Sequence, residues 1–366
     1  MNDIKQQLKE TLGNINKSSS NKNQIVLKLK TLTPLYTGGI GQQGDQIHPS
    51  NLLGGIRHFS CLVARFLGEK DFETEVWGTA EESEPKAKQI ALKWEWDTSE
   101  FKPVTNLPNI IFPEQIERDK NKKVGWAFNS AFEGELTLQI TKRNIDDKYW
   151  NILLISIAIQ IRHAMFGSKD QFGLGVLNLV NPEDFKKLFP KLNIPLNEVK
   201  DDFLDKENKL MNLKRYAFAK VKLKKKEQKY INFNYETKLK LGLAMRYNLR
   251  DALRTSENAS KLEYNKWKRI RHKMFGDLKD KCNSCVNISA AYGNEENPEI
   301  RITVELNLEK ESERDEVLDI FEEYIEYIDD FITEYTVDKN NINWEFGDDK
   351  NNENKVDWLN KLAGVL

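Results

Sequence analysis

A chain of 366 residues with 39% hydrophobic and 31% charged residues is long enough for two globular domains and too rich in apolar side chains to be disordered. A formal net charge of −1 excludes a uniformly basic nucleic-acid coat, three cysteines are too few for a disulfide scaffold, and no apolar run reaches the roughly 18 residues of a membrane span. The polar start MNDIKQQLKETLG lacks the apolar stretch of a secretory signal, so a cytoplasmic protein with no membrane partner is expected.

Residues 1–23 hold a short helical candidate and a Ser/Asn-rich run, read as a flexible lead-in. From Gln24 to Leu32 the chain alternates as QIVLKLKTL, the period of a strand with Ile25, Leu27 and Leu29 on one face. It runs into TPLYTGGIGQQG, a loop holding Gly38, Gly39, Gly41 and Gly44. Pro49-Ser50 then opens a helix whose apolar positions Leu52, Leu53, Ile56, Phe59, Leu62, Val63 and Phe66 recur at helical spacing. A charged excursion through Trp77-Gly78 leads to a strand over 89–96, a Pro- and charge-rich insertion over 97–123, and a strand over 132–141. An apolar helix over 148–165, a second glycine loop from Phe166 to Gly175, and a strand over 176–180 follow. A helix apolar on most faces packs on both sides or beneath a partner. The order is β-α-β-β-α-β, so 24–181 reads as one ferredoxin-like (RRM-like) domain with an open sheet face able to meet RNA.

A polar helical linker over 182–213 precedes a second run of the same pattern. Strands are expected over 216–223, 286–292, 300–308 and 343–346, with helices over 238–252 and 314–335. The fold class is therefore α+β, two tandem ferredoxin-like domains with insertions, the second spanning 214–366 and carrying an acidic C-terminal helix. LLGGIRHFSCLVARF and LGLAMRYNLRDALR align Arg57 with Arg246, and Trp77-Gly78 matches Phe275-Gly276, as a duplication would leave them. Charge is unevenly placed: about +7 from Lys214 to Lys229, about −15 from Glu295 onward.

Glycines let a backbone approach a ligand closely, and the free N–H groups of a helix start favour an anion, so Thr37, Gly38, Gly39 and Ser50 are candidates to meet phosphate. No Gly-Lys-Ser/Thr follows and no G-x-G-x-x-G is present, which argues against nucleotide hydrolysis. Arg57, in an otherwise apolar helix, either grips a phosphate or pairs with a carboxylate of the fold, and Arg246 has the same two readings. In the second glycine loop, Ser168, Lys169, Gly173 and Gly175 would add amides and one cation, or simply close the domain. The run containing Lys224, Lys225 and Lys226 meets phosphates or is a solvated face. Trp94, Trp96 and Trp126 stack bases or fill a core. Cys282-Asn-Ser-Cys285 near His272 has zinc-ligand spacing without a second pair of ligands, so no metal and no other cofactor is expected.

TPLYTGG followed by IHPSNLLGGIRHF, in which Gly54-Gly55-Ile56-Arg57 forms a G-x-x-R-like element, resembles the RAMP superfamily of CRISPR RNA-binding proteins. With two ferredoxin-like domains and a glycine loop before the fourth strand, the resemblance over most of 24–335 is to the large RAMP subunit at one end of the type III-B CRISPR (Cmr) effector. It implies a non-catalytic RNA-binding subunit in antiviral defence, near the 3′ end of the guide. Its partners would be CRISPR RNA, target RNA and neighbouring RAMP subunits. Where many relatives have an arginine-rich glycine loop, this chain reads GSKDQFGLG. Some members of the superfamily cleave RNA with an aspartate in the first loop or with a histidine. Asp45 and His48, with His58 nearby, are therefore the candidates of the alternative, an endoribonuclease. A scaffold that binds only protein is a third reading.

Overall fold

A computed structural model describes residues 23–38, 46–80, 85–105, 110–111, 125–126, 130–167, 173–195, 198, 213–226, 231–254, 260–276, 284–325, 334–347 and 354–366, and only the backbone of 110–111 and 125–126. The expected N-terminal helix lies outside them.

Alternation makes Gln24–Thr31 a strand, β1, burying Leu27 and Leu29 while Val26 and Lys28 face out. Pro49 starts α1, Pro49–Phe66, and a π-helical turn, Glu73–Trp77, ends at Gly78. Next come β2, Ile90–Glu95, and an insertion in which β3, Lys102–Thr105, pairs with β6, Ser130–Glu133, and β4, Ile110–Ile111, with β5, Gly125–Trp126. The strand expected over 132–141 is divided at Gly134 into β6 and β7, Glu135–Lys142. The unit closes with α2, Asp147–His163, and β8, Leu177–Leu179. Its antiparallel sheet has the order β2-β7-β1-β8, the strand order of a ferredoxin-like unit.

A short helix α3, Phe185–Leu188, leads on to β9, Tyr216–Lys225, α4, Tyr235–Ala252, α5, Lys261–Phe275, β10, Val286–Ile288, β11, Glu299–Glu305, α6, Glu311–Tyr324, and β12, Tyr335–Phe346. Again the sheet is antiparallel, with the order β10-β11-β9-β12. The additional helix α5 means that this half is not a bare βαββαβ unit. The helix expected over 314–335 stops at Tyr324, and Tyr335 already begins a strand that buries Tyr335 and Val337 and shifts register before Ile342. Bulky apolar residues recur in FEEYIEYIDDFITEYTV at spacings that suit either period, so periodicity alone misplaced this boundary.

Residues 355–366 belong in sequence to the expected second domain, but α7, Lys355–Ala363, packs into the first core. Leu359 and Leu362 are buried there, Trp358 meets Phe66 edge-on at 5.4 Å, and the Asn360 amide bonds both the N–H (2.8 Å) and the carbonyl (2.9 Å) of Leu192. Covered by α1 and the first sheet on one side and by α7 and the second sheet on the other, α2 is apolar almost all round.

The two halves join through polar groups that the sequence does not advertise. Arg301 of β11, 3% exposed, donates from Nη1 to the carbonyls of Ile161 (2.6 Å) and Leu177 (3.3 Å) and from Nε to the Tyr292 hydroxyl (3.0 Å). It thus satisfies the end of α2, where the helix dipole favours a cation. Beside it Thr303 Oγ1 donates to the His163 carbonyl at 3.1 Å, and His163 Nε2 lies 2.9 Å from the Leu362 carbonyl, which requires a proton on Nε2. Burial, and the Lys220, Arg162 and Arg301 charges, hold His163 well below the ordinary imidazole value of 6.5. Burial, then Arg301 and Arg162, bring the Lys220 amine down to about 8.

A pH dependence follows from His163. Its folded pKa is depressed, so its contribution to stability is complete above pH 6.5 and is lost as pH falls from there toward the folded value. The urea midpoint should therefore drop between pH 7.5 and pH 5, and His163→Gln should flatten that drop. An equally steep drop in the variant would rule the histidine out as its source.

Candidate nucleic-acid interface

Beyond β1 the backbone runs against the segment that leads into β8. Leu32 donates to Val176 (2.8 Å), the Val176 amide to Thr33 Oγ1 (3.0 Å), and the Gly175 amide to the Pro34 carbonyl (2.8 Å). A Cβ on Gly167 would sit 2.3 Å from the Tyr36 carbonyl, so only glycine permits this approach. The loop after the first strand and the loop before the fourth are therefore in backbone contact. On the other side of the first loop, Leu35 and Phe132 exchange hydrogen bonds (2.7 and 2.9 Å), which fixes it to the inserted hairpin.

Thr37, 1% exposed, closes the base of the first loop. Its hydroxyl accepts from the His48 amide (2.7 Å) and donates to the Gln46 carbonyl (3.3 Å), while the Asn51 amide bonds its carbonyl. The Thr37 hydroxyl therefore serves the loop itself, and any ligand contact falls to its neighbours. Gly38 opens the excursion with φ +105, and Gly39 and Asp45 lie outside the described residues. His48 occupies the N-cap of α1 without a side-chain capping bond, and Ser50 is exposed in the first turn. Ser50, Gly54 and Arg57 follow at i, i+4 and i+7 along one exposed line of α1, with nothing within 4 Å of a Cβ added at Gly54.

Arg57 is half exposed, and its Nη2 lies 3.0 Å from Glu73 Oε1; the same carboxylate meets Arg65 Nη2 at 3.1 Å. Of the two readings for Arg57, the carboxylate pair is formed. One carboxylate is thus shared by two guanidiniums of α1. Arg246 is held by the carbonyls of Val286 (2.6 Å) and Phe275 (3.2 Å) and by Ser284 Oγ (2.9 Å), with its guanidinium over the Phe275 ring. The two aligned arginines do the same job: each ties the first helix of its half to the segment that ends in an aromatic-glycine pair.

In the second loop, Ser168 and Lys169 lie outside the described residues. Gly173 accepts from the Ala290 amide at 3.0 Å, and a Cβ on Gly175 would lie 1.7 Å from the Phe166 carbonyl. Both glycines are buried against backbone, and the Gly175 amide is taken by Pro34, so their role is close packing and not a cradle of free amides. Lys224 faces solvent, Lys225 pairs with Glu295 and Glu296, and Lys226 is half-buried, so the basic run is partly neutralised.

Trp94 is core, edge-on to Phe166, and Trp96 leans on Phe101. The Trp126 side chain and Cys282 lie outside the described residues, and among those described no group of three or more His, Cys, Asp or Glu could hold a metal ion. A groove of about 540 Å³ on the open face of the first sheet is lined by Glu95, Asp97, Glu100 and Glu135 against Lys28 and Trp96. Its four carboxylates, one of them paired with Lys93, outnumber Lys28, so this groove does not favour phosphate. No described helix is long and apolar enough to cross a membrane.

No family model matches the chain, and no curated protein matches it. Among solved structures, Cmr1 from Pyrococcus furiosus in its apo form is similar at 10% identity over 77% of this chain and 87% of that one, with a TM-score of 0.35. A chain of the type III-B Cmr-beta complex bound to cognate target RNA is similar at 13% identity over 83% of this chain and 99% of that one, TM-score 0.41. A second structure of that complex, with target RNA, AMPPnP and single-stranded DNA, gives 12% identity over 83% and 99%, TM-score 0.42.

Proposed function

We propose that the chain is a non-catalytic RNA-holding subunit of a type III-B CRISPR ribonucleoprotein. It grips guide and target RNA near the guide's 3′ end, beside neighbouring RAMP subunits, in antiviral defence. The observation that supports this most is the backbone contact between the two glycine loops, Tyr36 on Gly167 and Pro34 on Gly175, so a strand held by one loop lies beside the other. From there the open line of Ser50 and Gly54 leads along α1 to the half-exposed guanidinium of Arg57. A sugar-phosphate strand laid on that line meets the exposed Ser50 hydroxyl, the bare backbone at Gly54 and a guanidinium.

Binding of this kind is dominated by released counterions. Filter binding of single-stranded RNA should weaken at least about tenfold between about 50 and 200 mM salt, as for three or more phosphate contacts, and an affinity indifferent to salt would contradict the reading. The RNA should stay intact with and without Mg²⁺. Cleavage abolished by Asp45→Asn or His48→Ala would establish the endoribonuclease instead.

A further inference from the structure

We propose that the outer flank of α5 is a second contact for single-stranded RNA, outside the ferredoxin-like arrangement. This deepens the RNA-holding function above and rests on it. At the equivalent place the first half has the five-residue π-helical turn Glu73–Trp77, whereas the fifteen residues of α5 carry six lysines and arginines against one glutamate.

Ile270, Met274 and Phe275 bury its inner face. One flank is neutralised by the acidic helix beside it, Lys266 pairing with Glu316 and Arg269 with Glu313 at 2.6 Å. The other is exposed. Lys261, Tyr264, Asn265 and Lys268, at i, i+3, i+4 and i+7, are all exposed; the Tyr264 ring is 49% exposed and Lys268 Nζ lies 6.0 Å from its centre. These positions span two turns, about 10.5 Å.

A solvated helix face has no use for a bare phenol ring between lysines, whereas ammonium groups beside an exposed aromatic are what a single strand requires: charge for phosphates, a flat surface for a base. The other large exposed apolar residue of α5, Leu262 at 84%, is two positions from Tyr264 and so projects about 160° away from it around the helix. The two do not form the continuous apolar stripe that would lie in a lipid surface.

The test is fluorescence anisotropy of a short polyuridine RNA with the full chain over a salt series. Lys261→Gln/Lys268→Gln should weaken binding about five- to twentyfold and reduce the salt slope by about 1.4, two contacts at roughly 0.7 each. Tyr264→Ala should weaken binding at least about fivefold and leave the slope alone, because stacking releases no counterion. All the altered residues are exposed, so unchanged melting curves will separate lost contact from lost fold. Wild-type binding with both variants at wild-type affinity and slope overturns this site and leaves the RNA-holding function standing; no binding by the wild type overturns both.

Discussion

Arg301→Leu should lower the free energy of unfolding by about 3 to 5 kcal/mol, the range for stranding buried polar partners. The variant removes the donors to Ile161 at the end of α2 and to Leu177 in β8, leaving their carbonyls buried in apolar surroundings, while the Tyr292 hydroxyl keeps Glu299. It also removes a like charge from beside Lys220 and Arg162, an offset on the order of 1 kcal/mol that does not cancel the loss. Because Arg301 bridges the halves, urea unfolding should change from one transition toward two. Arg301→Lys keeps the charge but not the fork of donors, and should recover less than half of the loss. A change below about 1 kcal/mol would show that the apolar contacts of α2 and α7 alone hold the halves together.

Gly175→Ala should cost more than about 3 kcal/mol. Its φ of +87 is one that an alanine adopts only under strain, of order 1 to 2 kcal/mol. The added Cβ would lie 1.7 Å from the Phe166 carbonyl, so the backbone itself must move. The same displacement breaks the bond to Pro34 and separates the two glycine loops, so RNA affinity should fall even where the variant remains folded. Gly54→Ala is the counterpart. It sits inside α1 with open space around it, and should leave stability unchanged or raise it by up to about 1 kcal/mol. A Gly175→Ala protein as stable as the wild type would mean that the loops are not in the contact described.

What could be read from residues alone was what has a period. Alternation located β1, β7 and β9, and helical spacing located α1, because one buried face imposes each pattern, while α2 stood out as a long apolar run. The aligned arginines and aromatic-glycine pairs also marked a structural repeat, since Arg57 and Arg246 tie equivalent segments. Tertiary choices left no such mark. Nothing in KVDWLNKLAGVL says that Trp358 and Leu359 return to the first core and not the second. Arg301, in an apolar strand, carries no sign that its partners lie about 140 residues upstream. The glycine spacing was visible, but glycine suits close packing and ligand approach equally, and for Gly173 and Gly175 the packing use is the one found. The basic helix α5 is not among the elements expected from the sequence, and only the structure separates its neutralised flank from its open one.

Photo-crosslinking of 4-thiouridine RNA to the intact chain, with the adducts mapped by mass spectrometry, tests the central claim most directly. Adducts are expected in the loop after β1, along the Ser50–Arg57 line and in the loop before β8, all from the same RNA. Adducts confined to the acidic groove around Trp96, or none where binding is saturated, would contradict it.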